Sequence, residues 1–393
     1  MTVADLFNPS EEHQEIRETV RQFAENRVRP QALQQDAEER FNEPLFRELG
    51  ELGLLGVTID ERFGGAGLDA TTSVIVHEEL AAADPGFTLA YLAHAILFAH
   101  NLDLNGNDEQ RQRFLPGSCS GDILGGMCMS EPGAGTDVLG MKSRAVRDGD
   151  DFILNGAKMW ITNGSRNDTE LGDAFLVYAH TGSSPRDLGL FLVERGMPGF
   201  ALGQRLKDKL GMRASSTAEL VFENVRVPSR NIVGDPGRAV VAMMRNLELE
   251  RVTLAAISLG IARRCVEVMN TYAQERQAFG QPLNQFGQIQ RYIGEAYAKY
   301  MAGRSYVYQV AAALEMDQAG NRLDSDGVKL FCSTMAKEVA DAAIQVLGGY
   351  GYVGEYEVER LWRDAKLIEI GGGTIEAHQK NITRDLIKFD RLR

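Results

Sequence analysis

The residue most able to do chemistry is a glutamate standing where an apolar side chain is expected. Val240, Met243, Leu247, Leu254, Ile257 and Ile261 recur at spacings of three and four, with one gap. Glu250 fills that gap, three residues after Leu247 and four before Leu254. On a helix it therefore shares the face predicted to be buried, whereas Glu248 and Arg251 fall elsewhere. Desolvation penalises a charged carboxylate and raises its pKa, which suits a base that abstracts protons near neutral pH. The same pattern also arises from a structural glutamate paired with a lysine or arginine of another element.

Other segments could present backbone or aromatic surface to a ligand. Three are glycine-rich: residues 131–136 (EPGAGT), 348–351 (GGYG) and 371–374 (GGGT). Glycine lets backbone N–H groups approach a phosphate or a flat ring. None of the three is a Walker A loop or a GxGxxG between strand and helix, and singly each reads as a tight turn. At residues 158–164 (KMWITNG), Trp160 and Thr162 stand two apart near a strand end. Alternation would put both on one side, as a stacking surface and a hydrogen bond for one flat ligand. A core tryptophan beside a strand threonine is the plainer alternative.

The elements that must position these residues fall into three blocks. The chain has 393 residues, 44 % hydrophobic and 25 % charged, which is globular composition and argues against disorder. Residues 1–122 read as helical. Ser10 precedes Glu11 and Glu12 as an N-cap, and Ile16, Val20 and Phe23 follow on one face. The stretch 85–102 carries no Asp, Glu, Lys or Arg, yet His94, His100 and Asn101 suit a buried core helix rather than a membrane span. Residues 123–235 hold short apolar runs, at 152–154, 174–179, 190–193 and 219–222, broken by Gly, Asn and Asp. Residues 236–393 return to long helices.

Charge and cysteine content narrow the function classes. The net charge of −13 disfavours nucleic acid and anionic membrane surfaces. The four cysteines, Cys119, Cys128, Cys265 and Cys332, form no CxxC, so no metal site is expected and a reducing compartment fits. The start, MTVADLFNPSEEHQ, lacks a basic region followed by an apolar run, so a cytoplasmic location is expected.

In order and spacing, seven segments resemble the acyl-CoA dehydrogenase family, and most closely its isovaleryl-type branch. They are MSEPGAGTD (129–137), KMWITNG (158–164), KLGMR (209–213), Glu250-Arg251, RQAFG (276–280), QVLGGYG (345–351) and RDAK (363–366). The resemblance spans essentially the whole chain. It implies an α+β multidomain fold: a helical N-terminal domain, a central β-barrel-like domain and a C-terminal four-helix bundle. It implies FAD, a homotetramer, and oxidation of an acyl-CoA to the trans-2-enoyl-CoA with electrons passed to electron-transfer flavoprotein. A base removes the pro-R α-proton while the β-hydride moves to flavin N5.

Carried over residue by residue, the resemblance places Trp160 against the flavin ring and Thr162 near N5. Met127, Met129 and Ser130 border the ring. Arg276 and Phe279 serve the pyrophosphate and adenine side of FAD in a neighbouring subunit. Gln345, Gly348 and Gly349 serve the same interface, while Thr374 and Glu376 complete the site. Thr136 is placed to touch the pantetheine arm, and Arg251, Gly372 and Gly373 to border substrate. Most branches carry the base immediately before Gly-Thr, where this chain has Gly372; the isovaleryl and long-chain types carry it just before an arginine, at Glu250. The Gly372 N–H would bind the thioester oxygen together with a flavin ribityl hydroxyl, making the α-proton more acidic.

Two departures bear on detail. Gly287 follows Phe286 where the family has a FAD-contacting glutamine, and residues 377–380 read AHQK where the isovaleryl branch has a basic pair. Glycine at 371–373 is expected to leave room beside the substrate α and β carbons. A short or medium branched acyl chain fits that expectation; a medium or long straight chain is the alternative. A non-catalytic flavoprotein scaffold conflicts with the retained Glu250, and an oxidase would be a longer chain.

Overall fold

The computed structural model describes residues 5–387; residues 1–4, where the leader reading begins, and 388–393 lie outside it. The N-terminal part is helical: α1 (Glu11–Phe23), α2 (Arg29–Glu38), α3 (Glu43–Glu51), α4 (Ala70–Ala83), α5 (Pro85–Leu92), α6 (Asn101–Asn105) and α7 (Asp108–Ser120). Ser10 caps α1, its hydroxyl accepting from the His13 N–H at 3.3 Å. From Pro85 the chain runs into α6 through a π-helical stretch at Ala93–His100, and all but Leu89 and Leu97 of residues 85–102 are buried there. This is the core helix expected from its lack of charge. No helix among the described residues is long and apolar enough to cross a membrane.

The strands are β1 (Gly125–Cys128), β2 (Arg144–Asp148), β3 (Asp151–Thr162), β4 (Ala174–His180), β5 (Leu188–Glu194), β6 (Phe200–Arg205), β7 (Thr217–Val227) and β8 (Ile232–Val233). All four expected runs fall within β3, β4, β5 and β7. The β domain is barrel-like, but its barrel is not closed. The sheet runs β6-β7-β3-β2-β4-β5-β8, with β1 beside β4, and no ladder joins β6 to β8. Its weak seam is β2–β4, a single pair at Arg144 and His180. The sheet still curls around one core, where Phe152, Phe175, Phe191, Phe200 and Phe222 pack together. Burial of these rings drives the curl, so hydrogen-bonded closure is not required.

The C-terminal part comprises α8 (Ala239–Glu275), a two-residue hairpin of β9 (Gln277–Ala278) and β10 (Gln281–Pro282), then α9 (Gly287–Ala313), α10 (Arg322–Leu347), α11 (Val358–Ile368) and α12 (Ile375–Leu386). Helix α8 is the axis of the molecule. Every residue from Asn246 to Ala262 is buried, because α4, α9 and α10 pack around it. Glu248 and Arg251, off the apolar stripe, are therefore also buried. Glu248 accepts from the Asn321 N–H at 2.8 Å and so caps the start of α10.

Charged contacts set the height of α8 against α4. Glu79 accepts from Arg17 (2.6 Å) and Arg263 (2.8 Å), and Glu78 from the Tyr308 hydroxyl (2.6 Å). Removing one partner of such a network would strand a buried charge, so the register of α8, and with it Glu250, is tightly specified.

Candidate active site

Glu250 is 6 % exposed, and its Oε2 is buried with no hydrogen-bond partner. Burial pushes its pKa up to about 7, against the opposing pull of Arg251 and Lys329. An unpartnered buried carboxylate costs stability, and such a cost persists where the group has a task.

The turn between α11 and α12 comes to meet it. Gly372 has φ +67°, and a Cβ built there would stand 3.5 Å from Glu250 Oε1 while overlapping Leu254 Cδ1. The two places where a base could stand thus converge on one spot. The room expected beside Gly372 is not open: Leu254, one turn beyond Glu250, fills it. The sequence pattern marked Leu254 only as a core residue, because its reach across to the turn is a tertiary fact.

Arg251 follows Glu250 directly on α8. About 100° further round the helix than Glu250, its Nη1 lies 3.3 Å from Asp326 Oδ1 on α10. Sequence reasoning missed three residues behind the turn. Asp326 and His378 are fully buried partners, with Nδ1 and Oδ1 2.5 Å apart. Lys329 is also fully buried and donates to the Ile368 carbonyl. Burial draws its pKa down to about 7, while Glu250 pulls the other way. The available signal was Asp326 and Lys329 standing three apart inside an otherwise core-facing helix.

Trp160 is 54 % exposed at φ +60°. Its presentation comes from a register shift against β7 between Lys158 and Ile161, not from regular alternation. Lys158, two residues earlier, is fully buried and donates to Glu131 Oε1 at 2.9 Å. The bulge breaks the period of two and turns the indole outward. Thr162 is half-buried at the end of β3. The loop facing this strand is pinned to it. The Ser130 carbonyl accepts from the Met159 N–H and the Met129 carbonyl from Lys158 Nζ, both at 3.0 Å. Met127 is buried in β1, and Thr136 is exposed in the turn that follows. Thr374 and Glu376 both serve the start of α12: the Thr374 hydroxyl accepts from the Ala377 N–H at 3.2 Å, and Glu376 stands exposed in the first turn.

The remaining expected residues form a second group. Arg276 lies 5.8 Å from the Tyr350 ring centroid, beside Gly348 and Gly349, and these line a cavity of about 450 Å³ with Tyr272 and Leu283. Phe279 is 97 % exposed, and Gln345 is exposed on the last turn of α10. Among the described residues, no hydrogen bond, ion pair or ring contact joins this group to the Trp160 group. Gly287 opens α9, and a Cβ there would meet nothing within 4 Å.

These features fit a large, flat, charged cofactor. Trp160 offers an exposed ring face. A Cβ on Gly348 or Gly349 would meet nothing, leaving a glycine cradle beside the Arg276 guanidinium. The helix–sheet–helix scaffold thus carries a buried carboxylate with an unpartnered oxygen on α8 and an outward tryptophan on β3. Three family models match in succession: the acyl-CoA dehydrogenase N-terminal domain over residues 10–122, the middle domain over 126–225 and the C-terminal domain over 239–387. The mitochondrial isovaleryl-CoA dehydrogenase of Solanum tuberosum is 41 % identical over 98 % of this chain and 92 % of its own. A chain in a solved structure of the electron transferring flavoprotein of Acidaminococcus fermentans aligns with TM-score 0.92 and 33 % identity, covering 97 % of this chain and 99 % of that one. A glutaryl-CoA dehydrogenase from Mycobacterium smegmatis in complex with FADH2 aligns with TM-score 0.90 and 30 % identity, over 98 % and 96 %. The chain belongs to the acyl-CoA dehydrogenase family, and it is an FAD-dependent oxidoreductase.

Proposed function

We propose that the protein oxidises a short or medium branched acyl-CoA, isovaleryl-like in shape, to its trans-2-enoyl-CoA, with Glu250 as the base. One observation carries the assignment: the Glu250 carboxylate is buried, has an oxygen without a partner, and lies 3.5 Å from where a Cβ on Gly372 would stand. A base raised to about 7 is half ionised at neutral pH, which balances availability against basicity. The Gly372 N–H is the donor suited to the thioester oxygen, so Glu250 and Gly372 act on adjacent atoms of one substrate. When bound, FAD supplies the acceptor for the two electrons that leave the β carbon.

The likeness to the Solanum tuberosum enzyme supports a branched substrate. Leu254, one turn beyond the base on the same face of α8, borders the Gly372 turn, so acyl shape is read by an apolar contact. Such contacts discriminate by about 10–200-fold per methyl group. The similarity to the Acidaminococcus fermentans structure supports electron-transfer flavoprotein as electron acceptor. The separation of Arg276, Phe279, Gln345, Gly348 and Gly349 from the Trp160 group supports an assembly in which subunits share FAD, a homotetramer by family likeness.

Anaerobic flavin bleaching by isovaleryl-, butyryl- and octanoyl-CoA tests the reading. Wild-type protein should process isovaleryl-CoA at least as well as butyryl-CoA, and Glu250→Gln should bind ligand yet reduce flavin about 10²-fold more slowly. A hundredfold preference for octanoyl-CoA would overturn the branched substrate, and near-normal reduction by the variant would overturn the base.

A further inference from the structure

The three consecutive glycines at 371–373 pose a mechanical problem. Glycine has wide backbone freedom, so nothing in the turn's own side chains fixes where the Gly372 N–H points. Both Gly372 (φ +67°) and Gly373 (φ +108°) sit in the left-handed region. A donor that polarises a carbonyl must nonetheless be held still, since a misplacement of about 1 Å can cost about 10²-fold in rate.

The structure supplies the restraint from α10. Lys329 takes the Ile368 carbonyl at the entrance to the turn. At its exit, His378 Nε2 lies 3.0 Å from the Gly373 carbonyl oxygen, and Nδ1 lies 2.5 Å from Asp326 Oδ1. A carbonyl can only accept, so Nε2 donates. The Asp326 Oδ1–Nδ1 bond then fixes the plane of the ring. His378 and Asp326 are both fully buried, so water does not compete. The ring packs so closely on the turn that a Cβ on Gly373 would stand 2.9 Å from His378 Cε1. Arg251, 3.3 Å from the same Asp326 oxygen, ties the pair to the helix that carries Glu250.

We propose that His378 and Asp326 are positioning residues, a clamp that orients the 371–373 turn so that the Gly372 N–H meets the thioester oxygen of the acyl-CoA. The inference rests on the reading of Gly372 and Glu250 given above. Neither clamp residue touches substrate; the effect passes through the Gly373 carbonyl.

The test uses side chains that mimic one ring nitrogen each. In the holoenzyme, His378→Gln keeps a donor within reach of the Gly373 carbonyl, whereas His378→Asn reaches Asp326 but not the turn. The readout is the infrared C=O band of trans-2-enoyl-CoA labelled with ¹³C at the thioester carbonyl, together with kcat and KM. His378→Asn should lose about half or more of the band shift that wild-type protein imposes, and kcat should fall about 10²-fold with KM changed far less. His378→Gln should remain close to wild type in both. Should His378→Asn fail to accumulate as holoenzyme, Asp326→Ala is expected to show the same losses and is judged identically. A full band shift in the disrupting variant, or equal losses in the Gln and Asn variants, overturns the clamp. Glu250→Gln separates this from the base assignment: it should keep the band shift while losing flavin reduction.

Discussion

Gly372 and Glu250 are packed so that a Cβ on the glycine would stand 3.5 Å from the carboxylate. The same Cβ would overlap Leu254 Cδ1, at a φ of +67° that disfavours any side chain. Gly372→Ala should therefore lower stability by about 1–3 kcal/mol and slow flavin reduction, through overpacking and backbone strain. Thermal unfolding and single-turnover reduction of the variant check both effects. Leu254→Ala relieves the overlap, so the double variant should regain much of the stability lost at Gly372; independent, additive losses would show that the two sites do not meet.

Glu250 links activity and stability to pH with opposite signs. It acts ionised, so flavin reduction should rise as pH increases through about 7 and level off above. Its folded pKa is raised from an ordinary 4.5, so the folded state holds the proton more tightly than the unfolded one. The associated stability is present below about pH 4.5 and is lost as pH rises to about 7. Glu250→Gln should accordingly melt higher than wild type at pH 8, by on the order of 3 kcal/mol, and nearly level with it at pH 5. Equal melting temperatures at pH 8 would contradict the buried, unpaired carboxylate.

Lys329 opposes the rise in the Glu250 pKa. Removing that cation with Lys329→Met should move the midpoint of the reduction–pH profile upward, to more alkaline pH. The same change leaves the Ile368 carbonyl without its donor, so some stability is also lost. The pH midpoint is the decisive measurement, because a purely structural lysine would change amplitude and leave the midpoint in place.

Cofactor and assembly should be coupled. Arg276 and the Gly348–Gly349 cradle share one cavity, while Trp160 belongs to a separate group of expected cofactor residues. If each FAD spans both groups on different subunits, it stabilises the assembled state by mass action. Stripping FAD should raise the proportion of smaller species in sedimentation, and adding FAD should reverse it. A stable monomer with a full complement of FAD would contradict the sharing.

Much of this was legible in the chain alone, for local reasons. Helical periodicity is set over a few turns, so Glu250 could be read as an intruder on a buried face before any contact was known. Ser10 capped α1, and four apolar runs became strands, because capping and short-range patterning depend on adjacent residues. The family motifs brought expectations for Trp160, Arg276 and Thr374 in the same way. What the sequence could not settle depends on chain segments that meet only after folding. Alternation would have placed Lys158 and Trp160 on one face of β3, yet a bulge against β7 buries one and exposes the other. The family resemblance implied a barrel-like domain, and a one-pair seam between β2 and β4, with no ladder from β6 to β8, leaves its sheet open around the aromatic core. Glycine at 372 suggested empty space, which Leu254 occupies from the neighbouring helix. Lys329, Asp326 and His378 carried little signal, since their meaning lies in burial and in partners on other elements. Local physics determined which residues were out of place; the packing of α8, α10 and the 371–373 turn decided what they do.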